Sequence, residues 1–254
     1  MIRLPAISAR GKRLLIGLAA TLLSFGLADP AFANQIRLDL SDGLGLTDHV
    51  VQIVALVTIL SLAPSILIMV TSFVRIIVVL SLLRTALGMQ QSPPNAVLVS
   101  LALFLTAFVM TPTFTIAYDA GILPLMNQEM EMGEAFEKSS EPFKTFMLSQ
   151  VRKQDLKLFV DLSDIEEPEQ ATDIGLQVLV PAFMISELRR AFEIGFLVFL
   201  PFIIIDMVVA SVLMSMGMMM LPPIIISLPF KLIFFVLVDG WSLIAGSLVQ
   251  SFGT

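Results

Sequence analysis

The sequence lacks cysteine altogether and has a single histidine, His49, among 254 residues. Without cysteine the chain can form neither a disulfide framework nor a thiolate metal site. Histidine-based nucleophilic catalysis would depend on one residue at the mouth of an apolar segment. The chain also contains no GxSxG, HExxH or phosphate-binding P-loop pattern. We therefore expect no enzymatic activity, no metal or other cofactor, and no nucleic-acid partner.

Charge is also scarce, since charged residues make up 14% of the chain and hydrophobic residues 57%. The apolar residues occur in runs too long for the core of a soluble protein, which predicts an integral membrane protein. These runs cover residues 49–87, 96–118, 178–213 and 224–248. As one helix the first run would be about 60 Å long, twice the hydrocarbon thickness, so it must kink or protrude. Pro64 is the expected kink.

Residues 1–33 have the composition of a cleavable signal peptide. Basic residues precede a short apolar stretch, Leu14–Leu27, and Ala31-Phe32-Ala33 forms an A-x-A cleavage site. A retained first transmembrane helix is the alternative, but the apolar stretch is short and ends in Ala28-Asp29-Pro30. The signal peptide favours a bacterial inner-membrane protein whose mature chain begins at Asn34, outside the membrane.

An acidic segment separates the two apolar halves of the chain. Residues 119–177 hold thirteen of the 21 acidic residues against five basic ones. Their apolar side chains are spaced as faces of amphipathic helices, with a loop at residues 165–168. The sequence thus predicts an all-α membrane protein in which two long kinked helical hairpins flank a small helical periplasmic segment. Its predicted parts are the signal peptide (1–33), the N-terminal region with the first hairpin (34–118), the acidic segment (119–177) and the second hairpin with a methionine-rich loop (178–254).

The turns of the two hairpins share one pattern. Gly88-Met89-x-x-x-Pro93-Pro94 in the first hairpin matches Gly217-Met218-x-x-x-Pro222-Pro223 in the second. Glycine is typical of a helix end and proline of a helix start, so the pattern is either an internal parallel repeat or turn chemistry that arose twice. A repeat predicts that both turns point the same way, and counting the apolar runs from the signal peptide places both turns on the inner side of the membrane. The tips differ, because the second turn carries five methionines in seven residues.

Ionisable residues occur in or beside the apolar runs, where each would cost several kcal/mol against lipid. Most must therefore face protein or water. Helical spacing allows Glu187 to pair with Arg190 and Arg189 to pair with Glu193. The alternative is that Glu187 or Glu193 bridges to a neighbouring subunit. The residues concerned are Arg75, Glu187, Arg189, Arg190, Glu193, Asp206, Lys231 and Asp239.

Asp206 is the only charged residue in the stretch FLPFIIIDMVVAS, so it has no local partner. Lys231 is the candidate partner on the returning helix. Counted from a turn centre near Leu221, the two residues differ in depth by roughly 7 Å at helical rise. We therefore expect the pair to form between subunits, and the alternative is that Asp206 belongs to a proton relay.

Several long segments resemble the FliP family of flagellar biosynthesis proteins and its injectisome counterparts. They read SFVRIIVVLSLLRTALGMQQSPPN, SELRRAFEIGF, PFIIIDMVVASVLMSMGMMMLPP and PFKLIFFVLVDGW. The resemblance implies a core subunit of a type III export gate in which five copies assemble with FliQ and FliR into a helical funnel around one pore. It further implies a place at the flagellar basal body, next to FlhA, FlhB and the MS ring, with unfolded proteins as the exported substrates.

The same resemblance implies roles for individual residues. The family's methionine-rich loop maps onto Met218, Met219 and Met220, as a gasket at the constriction, with Met214 and Met216 beside it. The family's subunit contacts map onto Glu187, Phe146 and Phe159. Asp206 and Lys231 match family positions without an assigned role.

Two other functions compete with an export gate. Methionine thioethers are soft ligands, so the second turn would also suit a copper(I) transporter. A proton-coupled transporter would use Asp206 and the glutamates.

Overall fold

The computed structural model describes residues 45–89, 91–163, 174–218 and 221–253. The chain divides into two compact units, Met1–Ile59 and Leu60–Thr254. The described part of the first unit is the beginning of one helix. The predicted signal peptide and the predicted loop at residues 165–168 lie outside the described residues.

All regular secondary structure in the described residues is helical, which confirms the predicted all-α class. Nine α-helices follow one another there, with a π-helical turn, Tyr118–Ile122, between the third and the fourth. They are α1 (Gly45–Met69), α2 (Phe73–Ala86), α3 (Asn95–Ala117), α4 (Leu123–Met126), α5 (Met132–Gln150), α6 (Lys153–Leu162), α7 (Leu176–Ser215), α8 (Pro223–Leu237) and α9 (Gly240–Gln250).

The first apolar run is broken beyond Pro64, the residue expected to kink it, with a bend of 68° between Met69 and Phe73. Helix α1 continues through Pro64 to Met69, and the break lies at residues 70–72. There the hydroxyl of Thr71 accepts a hydrogen bond from the backbone N–H of Phe73 at 3.5 Å and donates one to the carbonyl of Ile68 at 3.4 Å. Such side-chain bonds offer the backbone an alternative to the helix.

Helix α2 forms the centre of the packed core. It packs against α3 on one side and α7 on the other, which explains why its sequence is apolar nearly all round. The largest buried cluster joins side chains from these helices and from the end of α9. Its members are Phe73, Ile76, Val79, Leu80, Leu98, Ala102, Val109, Ala191, Leu248 and Phe252.

Gly195 allows α7 to lie close to α2. A Cβ atom at this position would fall 2.3 Å from Cδ1 of Leu82. We expect Gly195→Val to lower the free energy of unfolding by about 1–3 kcal/mol, because overpacking displaces neighbouring side chains or backbone. Thermal unfolding in detergent measures the change. Gly246→Val is the matched control, since a Cβ there meets nothing within 4 Å; equal losses in both variants would contradict a packing cause.

The acidic segment is helical in its described part, as predicted, and packs on the second hairpin. Met147 of α5 is buried against Leu179 and Phe183 of α7. Helix α6 also lies along α7. The segment is thus attached to the apolar helices by a small core of its own.

The second hairpin consists of α7, which has 40 residues, and the bent pair α8 and α9. The bend is 63°, and Asp239 forms its elbow in the left-handed region with φ of 51°. Asp is one of the few residues that tolerate this conformation. The ring of Trp241 packs edge-on against Phe235 with centroids 5.3 Å apart, across the elbow.

Two continuous helical stretches in the described residues are long and apolar enough to cross a membrane. They are Asn95–Met126 and Leu176–Ser215. The number rises to four if α1 with α2, and α8 with α9, each form one broken span. The chain is therefore an all-α membrane protein.

The two turns have the same backbone geometry, as the shared pattern predicted. Gly88 has φ of 78° and Gly217 has φ of 76°. In each turn the glycine N–H bonds the carbonyl three residues before it, and the next N–H bonds the carbonyl five residues before itself, at 3.0–3.3 Å. This is the Schellman motif. A proline precedes or opens the next helix in both turns, and the Ser92–Pro93 peptide bond is cis.

Candidate functional site

Arg75 lies at the centre of a buried polar cluster. The side chain is fully buried in α2, and it donates from all three guanidinium nitrogens. Nε donates to Oε2 of Glu187 at 2.8 Å, and Nη2 donates to Oε1 of the same carboxylate and to Oε1 of Gln150 at 3.1 Å. Nη1 donates to the carbonyl and the hydroxyl of Ser251 at 3.1 and 3.0 Å. Five N–H groups thus meet five acceptor contacts, the full capacity of a guanidinium.

The same cluster joins four distant parts of the chain. Arg75 belongs to α2, Gln150 to α5 and Glu187 to α7, while Ser251 and Phe252 follow α9. The guanidinium carbon lies 3.7 Å from the ring centroid of Phe252, a cation–π contact. A bidentate, fully hydrogen-bonded pair of this kind fixes the orientation of the helices that carry it.

The partner of Glu187 differs from the sequence prediction. Glu187 is fully buried and binds Arg75, whereas Arg190 donates instead to Gln150 at 3.0 Å. The expected Glu187–Arg190 pair is therefore wrong. Because the carboxylate has no exposed surface, a contact with a second copy would have to act through the cluster around it.

Asp206 and Lys231 form a second polar cluster. Nζ of Lys231 donates to Oδ2 of Asp206 at 2.7 Å and to the carbonyl of Ala86 at 3.1 Å. The hydroxyl of Ser227 donates to Oδ1 of Asp206 at 2.5 Å. The ammonium group thus ties the last turn of α2 to both helices of the second hairpin, and it neutralises the negative end of α2.

The expectation that Asp206 and Lys231 pair between subunits was wrong, because the pair closes within the chain. The depth of each residue along the hairpin depends on its distance from the end of its own helix, and not on its distance from the turn centre. Asp206 precedes the end of α7 at Ser215 by nine residues, and Lys231 follows the start of α8 at Pro223 by eight (215 − 206 and 231 − 223). At helical rise this leaves a difference of about 1.5 Å.

The methionine-bearing turn between α7 and α8 is exposed. Met214, Met216 and Met218 are 57%, 61% and 43% exposed. Met219 and Met220, the other two residues predicted as the gasket, lie outside the described residues. The described methionines thus present thioethers to the surroundings at the end of an apolar hairpin.

The remaining predicted residues lie beside the core or on the surface. The ring of Phe146 packs against Phe183 and Phe252 with centroids 6.0 and 6.2 Å apart, and Phe159 packs on the cluster around Met147. Both phenylalanines are partly buried, so each keeps some surface. Arg189 and Glu193 form the predicted exposed ion pair at 3.1 Å.

The site found in the described residues is structural. Within that part of the chain, no three His, Asp or Glu side chains are placed to hold a metal ion. Two internal charge clusters hold the apolar helices together. The methionine-bearing turn lies at the end of two of these helices, α7 and α8. These features define a helical membrane protein in which two buried polar clusters hold the apolar helices together.

Comparison with known proteins places this architecture in a family. The family model described as FliP matches residues 56–248. The chain is 69% identical over 219 residues to the flagellar biosynthetic protein FliP of Caulobacter vibrioides, covering 86% of this chain and 82% of that protein. It is 56% identical over 202 residues to the protein of the same name from Bacillus subtilis (80% and 91% covered) and 48% identical over 246 residues to that from Agrobacterium fabrum (94% and 99% covered). The chain belongs to the FliP family, as its sequence segments indicated.

Proposed function

We propose that the chain is a pore-forming subunit of the flagellar type III export gate. In this function it lies in the bacterial inner membrane as a multi-pass protein at the flagellar basal body. Five copies would assemble with FliQ and FliR, beside FlhA, FlhB and the MS ring, and pass unfolded flagellar proteins. Membership of the FliP family, whose relatives are named flagellar biosynthetic proteins, supports this function.

The observation that carries the proposal is the exposed methionine turn at the end of an apolar hairpin. Methionine side chains are unbranched and polarizable, so they adapt to irregular surfaces. A ring of such turns would exclude water and ions from a constriction and would deform around a polypeptide. In this proposal the gasket consists of Met218, Met219 and Met220, with Met214 and Met216 beside it.

The helix surfaces fit a subunit of a larger assembly. Large apolar side chains along the described length of α7 and α8 are exposed, among them Phe196, Leu197, Met207 and Phe230. These faces need lipid or other subunits to cover them. In contrast, Arg75, Glu187 and Lys231 are satisfied inside the chain, so they would not oppose insertion into such an assembly.

The test of the gasket is ion leakage across the inner membrane. Deleting Met218 to Met220 is expected to raise leakage several-fold while the complex still assembles, because the apolar constriction is lost. Met219→Gln with Met220→Gln should have the same effect with less disturbance, since the first turn carries Gln90 and Gln91 at the matching positions.

Leucine at all three positions is the control, because it keeps an apolar ring of similar volume and should keep the membrane tight. A tight membrane in both the deletion and the glutamine variant would rule out the gasket. Copper(I) binding by the wild type, with secretion retained in an alanine triple variant, would instead support the copper transporter.

A further inference from the structure

The first turn carries a polar tie that joins the two helices it connects. Arg84 lies in the last turn of α2 and Asn95 is the first residue of α3. Nη1 of Arg84 donates to Oδ1 of Asn95 at 2.5 Å and to the carbonyl of Pro93 at 3.2 Å. The tie therefore runs across the turn, from the end of one helix to the start of the next.

The second turn has the same backbone but not the chemistry for this tie. When Gly88 is matched with Gly217, Arg84 corresponds to Leu213 and Asn95 corresponds to Ile224. Leucine and isoleucine side chains have no polar atom, so they cannot form the bond. At these two matched positions, therefore, the first turn carries a polar tie that the side chains of the second turn cannot form.

The first turn is also fixed to the second hairpin. Lys231 of α8 donates to the carbonyl of Ala86, at the end of α2. Gly88 lies against α8, where a Cβ atom would be 4.0 Å from Cδ1 of Leu228. Met89 packs on the buried cluster that contains Phe202 and Phe235. The first turn thus rests on the helices that carry the methionine turn.

We propose that Arg84 is a turn lock. It holds the ends of α2 and α3 together across the first turn, so that these two helix ends separate less readily than the matched positions of the second turn, Leu213 and Ile224. This assignment rests on the proposed export gate, for which it names a positioning residue that steadies the first turn against the helices carrying the methionine turn.

Two ordinary roles could also explain an arginine at position 84, without any lock between the helices. A cation near a helix C-terminus interacts favourably with the helix dipole, and a basic residue beside a turn favours the location of that turn on the cytoplasmic side of the membrane. Both roles need the charge of Arg84 but neither needs Asn95. Asn95→Ile, which copies the residue of the second turn and leaves Arg84 intact, therefore separates the lock from these roles.

Amide hydrogen exchange of the purified full chain, resolved by peptides, measures the lock directly. In the wild type we expect slower exchange around residues 84–97 than around residues 213–226. Asn95→Ile and Arg84→Leu should each raise exchange around the first turn about tenfold, the change expected for loss of a charge-assisted hydrogen bond. Peptides from α5 and α6 should be unchanged.

Lys138→Leu is the matched control. It removes a cation from an exposed ion pair with Glu134, at 2.9 Å, far from either turn in the sequence. It should leave exchange at both turns as in the wild type. Unchanged exchange around the first turn in both Asn95→Ile and Arg84→Leu would overturn the lock, as would a uniform rise along the whole chain.

Ion leakage of the assembled complex tests the function of the lock. We expect Asn95→Ile to raise leakage with the methionine turn intact. Faster exchange around the first turn with leakage unchanged would overturn the positioning role. Failure of the lock can be told apart from failure of the gate proposal, because the gate proposal is decided by whether the methionine deletion leaks.

Discussion

Glu187→Ala is expected to lower the free energy of unfolding by about 3–5 kcal/mol. The substitution leaves the guanidinium of Arg75 fully buried with neutral acceptors, from Gln150 and Ser251, and no counter-charge within the bonded cluster. A buried unpaired charge is among the largest single-residue penalties in a folded protein. Thermal or denaturant unfolding of the purified chain in detergent measures the loss.

The matched control removes both charges at once. Arg75→Met together with Glu187→Leu replaces the pair by apolar side chains of similar volume and is expected to recover most of the lost stability. Recovery would mean that the single variant fails because of an unpaired charge. If the double variant were as unstable as Glu187→Ala, the shape of the cluster, and not its charge balance, would decide stability. Wild-type stability of Glu187→Ala would contradict the buried pair.

Lys231→Met is expected to have the next largest effect, about 2–3 kcal/mol. It removes the ammonium group that binds both Asp206 and the carbonyl of Ala86. The loss should be smaller than at Glu187 because the side chain of Asp206 is 31% exposed and keeps its bond to Ser227. Unfolding of the purified chain measures it, and equal stability of the variant and the wild type would contradict a structural role.

Asp206→Asn distinguishes this structural role from proton transport. The amide keeps the shape of the side chain and loses its charge, so a salt bridge predicts reduced stability and reduced assembly. Combining it with Lys231→Met should cost less than the sum of the two changes, because the pair is lost once. Normal assembly with abolished transport would instead support a proton-coupled mechanism.

Local chemistry is the part of the structure that the sequence predicts best. Gly88 and Gly217 could be placed in left-handed turns because few other residues end a helix in that conformation. The ion pair of Arg189 with Glu193 follows from helical spacing alone. In both cases the interacting groups lie within a few residues of one another.

Long-range partners could not be predicted in the same way. The acceptors of Arg75 lie far from it in the sequence: Glu187 by 112 residues, Gln150 by 75 and Ser251 by 176. No periodicity in the sequence connects positions so far apart. The sequence shows only that a charge inside an apolar run needs a partner. For Asp206 the sequence also indicated Lys231. Choosing between a partner in the same chain and one in another copy required the positions of the helix ends at Ser215 and Pro223.

The left-handed elbow at Asp239 sets the direction of α9, and with it the position of Ser251 and Phe252 in the cluster around Arg75. Helix α9 follows the elbow for 11 residues, about 16 Å, before Ser251 reaches the guanidinium. Over that length an angular error of about 10° displaces the far end by about 3 Å, more than a hydrogen bond tolerates. The backbone conformation of Asp239 therefore decides whether Ser251 reaches the buried guanidinium of Arg75, although Asp239 and Ser251 lie at opposite ends of α9.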